Sequence, residues 1–375
     1  MSLWSFRRRI KIIPGVRLNL SKSGISTSIG IRGVNLTFGK KGTYLNTRIL
    51  GTGIHKRQKI SSDTKQYNEV PLIKSIPKKQ DNIFSVEPEK ITSQDMEGIK
   101  KSIIEAHNQR KQLEKDIKKI KKNLFFSKIK LFVIYGLIFG FIAKNLTNEF
   151  KSNIQKQKNA IIELEEQKNN SYVKLDVEFD KEFRTKYEAA YEAFKKLTTS
   201  QKIWDITRAE EQDRIATRSA ASTAILRTEI QFDFKDLDDI KYQNKALYLK
   251  NANGADLYFY PNFIVMQGKN DFGVIGLNEL EFNFSETNFV EQDKVPDDTK
   301  IIDKTWLKVN KNGTPDKRFK GNHEIPIVRY GTITISTSTG VNEEYQFSNY
   351  EASEQFSDEF SIYKDIIKKA GKIIK

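Results

Sequence analysis

LFFSKIKLFVIYGLIFGFIAKNL, Leu124 to Leu146, is the one stretch in which apolar residues dominate without a turn, and its reading decides how the chain is arranged. It separates a strongly basic, β-patterned N-terminus from a mildly acidic α+β C-terminus. A bilayer core of roughly 30 Å requires about 20 helical residues. The window from Leu124 to Ala143 has that length, with Lys128 and Lys130 near its start. Lysines a turn or two inside the boundary can extend to the headgroups, so membrane contact is the expectation. The uninterrupted run, Leu131 to Ala143, is shorter, and a run of that length also suits a buried helix. Gly136 and Gly140 form G-x-x-x-G, which permits close helix approach in lipid but reads better as a coincidence of spacing.

On the N-terminal side of this run, Ile99, Ile103, Ala106, Arg110, Leu113, Ile117, Ile120 and Leu124 follow a 4-3-4-3 spacing, a coiled-coil seam with one polar intruder. A capping-box pattern at Thr92 marks the start of that helix. Beyond the run, Ile154, Ile161 and Leu164 continue helical spacing less regularly. Two arrangements fit: one long helix through a membrane, or two helices folded back on each other.

The net charge of +16 is unevenly placed. Residues 1–60 hold 13 Lys/Arg and no Asp/Glu, whereas residues 231–375 hold 19 against 23. The basic module therefore calls for a polyanion: anionic lipid, nucleic acid or an acidic protein surface. The chain has no cysteine, which removes disulfides, thiolate metal sites and cysteine nucleophiles. MSLWSFRRRIKII lacks the apolar region of a signal peptide, which argues against export by that route.

From Phe6 to Ile54 short alternating runs are separated by glycine turns: RRRIKII, VRLNLS, ISTSIGI, VNLTFG and TYLNTRI. These predict four or five antiparallel strands, with Val16, Leu18 and Leu20 on one face and Arg17, Asn19 and Ser21 on the other. So small a sheet has a thin core and needs a partner, a second copy or a following segment. Arg7, Arg9, Arg17, Arg32 and Arg48 are the expected polyanion-binding residues. Gly51-Thr52-Gly53 lacks the third glycine and following helix of a dinucleotide fingerprint, so its glycines read as turns. PGVRLNLSKSGISTSIGIRG, followed by GTGI at Gly51 to Ile54, resembles the bacterial family called domain of unknown function forty-two thirty-six over residues 1–57. The resemblance implies a bacterial origin and a small β module, and brings no activity. With lysines crowding the N-terminal flank of the apolar run, the inner membrane with a cytoplasmic N-terminus is the expected location, a cytoplasmic protein the alternative.

Residues 58–91, polar and carrying Pro71, Pro77 and Pro88, read as a flexible linker, and 92–170 as the helical region. In 171–243 a strand-helix-helix unit is expected: YVKLDVEFD, then a helix with Phe183, Tyr187, Tyr191 and Phe194 on one core-facing side, Trp204 and Ile206 at a corner, and an Arg/Glu/Ala-rich helix to about Arg227. Residues 244–375 form a run of strands, with hairpin signals at Asn253-Gly254 and Asn312-Gly313. A final helix turns Phe356, Phe360, Tyr363, Ile366 and Ile367 inward. That order resembles the pleckstrin-homology superfold in architecture alone.

No catalytic set emerges, for His55, His107 and His323 lie in three different segments and read as surface histidines. The acidic group Asp233, Asp236, Asp238 and Asp239 lacks calcium-loop spacing, and no metal or other cofactor is expected. In the loop Asn310 to Pro326, Asp316, Lys317, Arg318 and Lys320 could present cations to a phosphate or carboxylate, against the plainer reading that Asp316 and Arg318 pair to hold the loop. The expected function is a non-catalytic, membrane-associated binding or scaffold protein. Its expected partners are an anionic membrane surface and another protein or a second copy. A soluble nucleic-acid-associated protein is the alternative, and an enzyme a distant third.

Overall fold

A computed structural model describes residues 13–21, 24–31, 34–39, 42–48, 55–61, 82–137, 144–211, 213–268 and 271–372 of the 375-residue chain. The class is α+β, as expected. In order, the elements are β1 (Gly15–Ser21), β2 (Gly24–Ile31), β3 (Val34–Gly39), β4 (Gly42–Arg48), β5 (His55–Ser61), α1 (Glu97–Leu137), α2 (Lys144–Asn169), β6 (Val173–Phe179), α3 (Lys181–Leu197), β7 (Ile203–Glu211), α4 (Arg214–Thr217) and β8 (Thr223–Ile230). Then follow β9 (Phe232–Phe234), β10 (Ile240–Tyr242), β11 (Leu247–Leu249), β12 (Leu257–Phe259), β13 (Phe263–Gln267), β14 (Phe272–Gly276), β15 (Glu281–Val290), β16 (Lys300–Trp306), β17 (Glu324–Ser336), β18 (Asn342–Phe347) and α5 (Tyr350–Lys372). The chain divides into two compact units, one built chiefly from Lys101–Lys174 with Asp238–Lys241, the other from Val16–Lys100, Leu175–Leu237 and Tyr242–Lys375.

The first unit is a helical hairpin. Leu113, Ile117 and Ile120 of α1 are buried against Ala160, Ile161 and Leu164 of α2. The antiparallel register is fixed by polar contacts along its length: Arg110 donates to the Lys168 carbonyl at 3.1 Å, Lys121 pairs with Glu165 at 2.8 Å, and Gln157 donates to Ser127 at 3.3 Å. The fold-back arrangement is thus the one adopted. Among the described residues no helix is long and apolar enough to cross a membrane, so of the two arrangements a span is not the one these residues form. The reason lies in the sequence: Lys128 and Lys130 interrupt the end of α1, and α2 returns through the polar Asn148, Glu149 and Lys151. Residues 138–143 of the apolar run, Gly140 included, lie outside the described residues.

Arg110, the polar intruder in the seam, reaches Asp239 at 3.3 Å, and His107 Nδ1 lies 2.9 Å from the same carboxylate. Asp239 is buried, and its carbonyl accepts from the Val173 amide. A seam position that faces a buried acid needs a cation rather than a leucine. His107 is therefore a paired, half-buried residue, not a surface histidine.

In the second unit the strand order β6-β1-β2-β3-β4-β5 makes the N-terminal meander part of a larger sheet. β1 pairs with β6 in parallel, Val16 with Leu175 through Leu20 with Phe179. Parallel strands demand a long crossover, here the whole of α1 and α2, so this neighbour lies far away in sequence. β14-β13-β12-β11-β9 form an antiparallel sheet and β15-β17-β18-β7-β8 another, with β16 also on β17. The α3 stripe packs as expected, Phe183, Tyr187 and Phe194 being buried and the Tyr191 ring lying tilted against Phe234 with ring centres 4.5 Å apart. From α5, Phe356, Phe360, Tyr363 and Ile367 complete the same core. Helix α5 approaches β17 closely at Gly331, where any Cβ would collide with Ser353 and Phe284.

Two further expectations are corrected. The segment expected as a helix to Arg227 is β7, the four-residue α4 and β8, paired Ile203 with Ile230 through Glu211 with Thr223. The end of the expected linker is no linker: the Ile83 amide donates to Thr207, the Val86 amide to Gly340, and Ile91 is fully buried.

Candidate anion-binding face of the N-terminal sheet

Alternation assigns the sheet's two faces. Val16, Leu18 and Leu20 are buried, and Leu20 joins the main core with Ile25 packed against it. The β2–β3 register continues that apolar side through Ile29 opposite Leu36 and Ile31 opposite Val34. The other side is polar. On it Ser28 and Thr37 share a 2.8 Å hydrogen bond, and the Asn46 amide donates to Thr37 at 2.8 Å and to Asn35 at 2.9 Å. This ladder ties β2, β3 and β4 together through side chains as well as backbone.

Beside the ladder lie the cations. Arg57 pairs across from Asn46 and Arg48 from His55, which puts Tyr44, Asn46 and Arg48 of β4 on the same side as His55, Arg57 and Lys59 of β5. The Arg57 guanidinium sits 4.0 Å from the Tyr44 ring centre. Arg48, Arg57 and Lys59 are exposed, and β4 and β5 contain no acid. Diagonal neighbours on such a pair are about 7–8 Å apart, a spacing that lets two guanidinium groups converge on one phosphate.

Of the residues expected from the sequence, Arg48 belongs to this group. Arg17 shares the polar face but stands on β1, 4.0 Å from Glu178, with both side chains largely exposed. Arg7, Arg9 and Arg32 lie outside the described residues. Arg57 and Lys59 were missed because the expected strands ended at Ile54 and the expected linker began at residue 58, so no strand was expected over His55–Ser61. The alternation in HKRQKIS was the available signal.

The Asn310 to Pro326 loop resolves toward its structural reading. Asp316 is 1% exposed and accepts from Arg318 Nε at 2.9 Å and Nη2 at 2.6 Å, with Arg218 at 3.4 Å. Those hydrogen bonds hold its carboxyl down at about 2. Arg318 is thereby committed to Asp316, while Lys317 and Lys320 remain exposed on the loop. The tight turn at Asn312-Gly313 is present, with Gly313 at φ +84°.

The acids of 233–239 do not converge on one point. Asp236 accepts from the Ala246 amide, Asp239 is engaged by His107 and Arg110, and Asp238 is exposed. Elsewhere two acids are closed in. Burial pushes Glu343 up to about 7, aided by the neighbouring charge of Asp205, and burial likewise raises Asp205. Ser85, from the stretch expected as linker, donates to Glu343, and Asp205 accepts from the Ala252 amide at 2.7 Å. Sequence reasoning named neither acid, because their burial comes from contacts far apart in the chain.

Residues 4–57 match the family model described as Protein of unknown function (DUF4236). The match spans β1 to β4 and the start of β5, so Tyr44, Arg48 and Arg57 fall within the DUF4236 region and Lys59 just beyond it. No curated protein and no solved structure matches the chain.

Proposed function

We propose that this chain is a non-catalytic bacterial binding or scaffold protein that works at an anionic membrane surface, on the cytoplasmic side of the inner membrane. The observation that carries the reading is the cluster of Arg48, Arg57 and Lys59 on one sheet face, in two strands without an acid. A field of one sign over an exposed face attracts a polyanion, and each cation near an anionic leaflet contributes about 1 kcal/mol. Single-strand nucleic-acid binders add aromatic platforms on which bases stack. Among the described residues the aromatic ring beside these cations is Tyr44, and Arg57 covers it, which favours lipid over nucleic acid. The coiled-coil character of the α1 seam and the pleckstrin-homology likeness belong to the same proposal. Two antiparallel sheets closed by α5 would offer the scaffold a second place for a protein or lipid ligand.

Flotation of the full-length protein with phosphatidylglycerol-containing vesicles, against phosphatidylcholine vesicles and single- and double-stranded DNA at matched salt, tests this. Salt-sensitive binding to the anionic vesicles, weakened in the triple variant R48Q/R57Q/K59Q, is expected. DNA binding that survives physiological salt, without vesicle binding, would give the nucleic-acid reading the lead.

A further inference from the structure

The hairpin changes character along its length. Its proximal half is closed by the Leu113, Ile117, Ile120, Ala160, Ile161 and Leu164 cluster and by ion pairs such as Lys121 to Glu165. In its distal half α1 buries Ile134 but turns most of its large side chains outward: Phe132 is 78% exposed and Phe125 60%, with Phe126, Ile129 and Val133 also exposed. Phe125, Ile129 and Phe132 are spaced i, i+4, i+7 and form one stripe, with Phe126 and Val133 beside it. Among soluble proteins a contiguous apolar patch of this kind marks a contact surface. Charge identifies what it contacts. Between Lys118 and Lys158 the sequence places ten lysines and a single acid, Glu149.

We propose that the distal end of the α1–α2 hairpin is a one-sided membrane anchor. Phe125, Ile129 and Phe132, with Phe126 and Val133, enter the acyl boundary of an anionic leaflet, and the surrounding lysines stay at the level of the lipid phosphates. Aromatic side chains on one face and lysines around it are the composition of interfacial helices. Lys128 and Lys130, at the two borders of the stripe, reach the headgroups along their aliphatic stems. Among the described residues no helix is long and apolar enough to cross, and the returning arm, which packs on α1 with Gln157 against Ser127, would bring Glu149 and Lys151 into the core. The arms therefore enter and leave on the same side, so both ends of the hairpin remain on the cytoplasmic face. This inference rests on the membrane reading above but concerns a different surface, so the two can fail separately.

The chain's lack of cysteine allows a direct test in the full-length protein. F132C and I162C, the latter an exposed position in the proximal half, are each labelled with an environment-sensitive nitrobenzoxadiazole dye and mixed with phosphatidylglycerol/phosphatidylethanolamine vesicles. The dye at position 132 shifts to the blue and is quenched by spin-labelled lipid, while that at 162 does not change. The double variant F125S/F132S loses at least tenfold in vesicle partitioning while its helix content and unfolding midpoint stay as in the parent. External protease leaves no membrane-protected fragment. Vesicle binding with an aqueous dye at position 132 would overturn the anchor and leave the cationic sheet standing. A protected fragment would mean a span, and absence of vesicle binding by the unsubstituted protein would remove both readings.

Discussion

Arg227 and Arg57 make the same local contact in two regions of this protein, one guanidinium 4.1 Å from the ring centre of Trp204, the other 4.0 Å from that of Tyr44. What surrounds them differs. Arg227 is also 4.4 Å from Phe289, donates to Gln346, and grips both oxygens of the buried Glu291 at 2.9 and 2.7 Å, while the Tyr330 hydroxyl donates to the same acid. Arg57 lies on an exposed strand, in a pair of strands without an acid. A cation stacked on an aromatic is thus part of the interior in one place and part of a binding surface in the other. Enclosure and acid pairing decide which, because an exposed stack contributes about 0.5–1 kcal/mol while an enclosed charge is costly to leave unpaired.

The largest effect expected from this contrast is at Arg227. Arg227→Ala leaves Glu291 as an unpaired buried acid and is expected to lower unfolding stability by about 3–5 kcal/mol, measured by urea denaturation at neutral pH. Glu291 is held below its usual range by Arg227 and the Tyr330 hydroxyl against the opposing effect of burial. Its stabilising contribution is present above the unfolded carboxyl value and is lost as pH falls through the lowered one. The deficit of Arg227→Ala should therefore shrink in acid. A deficit below 1 kcal/mol at every pH would mean that the cage is incidental.

Next in size is Glu343, an enclosed acid without a cation. Its value is raised to about 7, mainly by burial, so its folded form favours the proton. That contribution is fully present below the unfolded value near 4.5 and is lost as pH rises through about 7. Glu343→Gln keeps an acceptor for Ser85 and removes the charge. It is expected to be more stable than the parent at pH 8, by up to about 3 kcal/mol, and to match it at pH 4. Thermal unfolding across that range is the measurement, and a difference that does not change with pH would contradict it.

The enclosed acids and Arg227 also mark where sequence reading stopped. The α3 stripe, the inward face of α5 and the strands β1 to β4 were legible because each is written in local periodicity. RAEEQDRIATRSA has the composition of a helix, but its first residues, Arg208 to Glu211, pair with β8, and the strand they continue is paired through Ile203, Trp204 and Asp205 with β18, some 140 residues away. Ser85 looked like linker because its partner is Glu343. The candidate site was legible in the same measure: the excess of cations in residues 1–60 pointed to this sheet, and Arg48 is on the face that carries the cluster, but Arg57 and Lys59 required knowing that β5 pairs with β4.

Arg110 lies between the two extremes. It is mostly buried, it bonds Asp239 and the Lys168 carbonyl, and His107 still faces Asp239 if it is lost. Arg110→Ala is therefore expected to cost about 1–3 kcal/mol, less than Arg227→Ala. Hydrogen exchange at the base of the hairpin would report it, since Arg110 also bridges to the end of α2. Unchanged protection at residues 168–171 would show that the bridge contributes nothing.

The smallest effect on stability is expected at Arg57, and it is the one that sharpens the comparison most. Arg57→Ala removes an exposed stack and should change the unfolding free energy by less than about 1 kcal/mol. Its effect on binding should be of another kind. Removal takes one cation from the Arg48 and Lys59 group and also uncovers the Tyr44 ring on the same face. Affinity for anionic vesicles then falls with a weaker salt dependence, because fewer charges meet the phosphates. The freed ring offers a base the stacking surface that the parent withholds, worth about 1–3 kcal/mol per base. In the variant, single-stranded DNA should therefore bind more tightly relative to vesicles than it does in the parent, and the double variant Y44A/R57A should lose that gain. If Arg57→Ala weakens both ligands equally and Tyr44→Ala alters neither, Arg57 acts as a point charge only, and the stack has no part in choosing the partner.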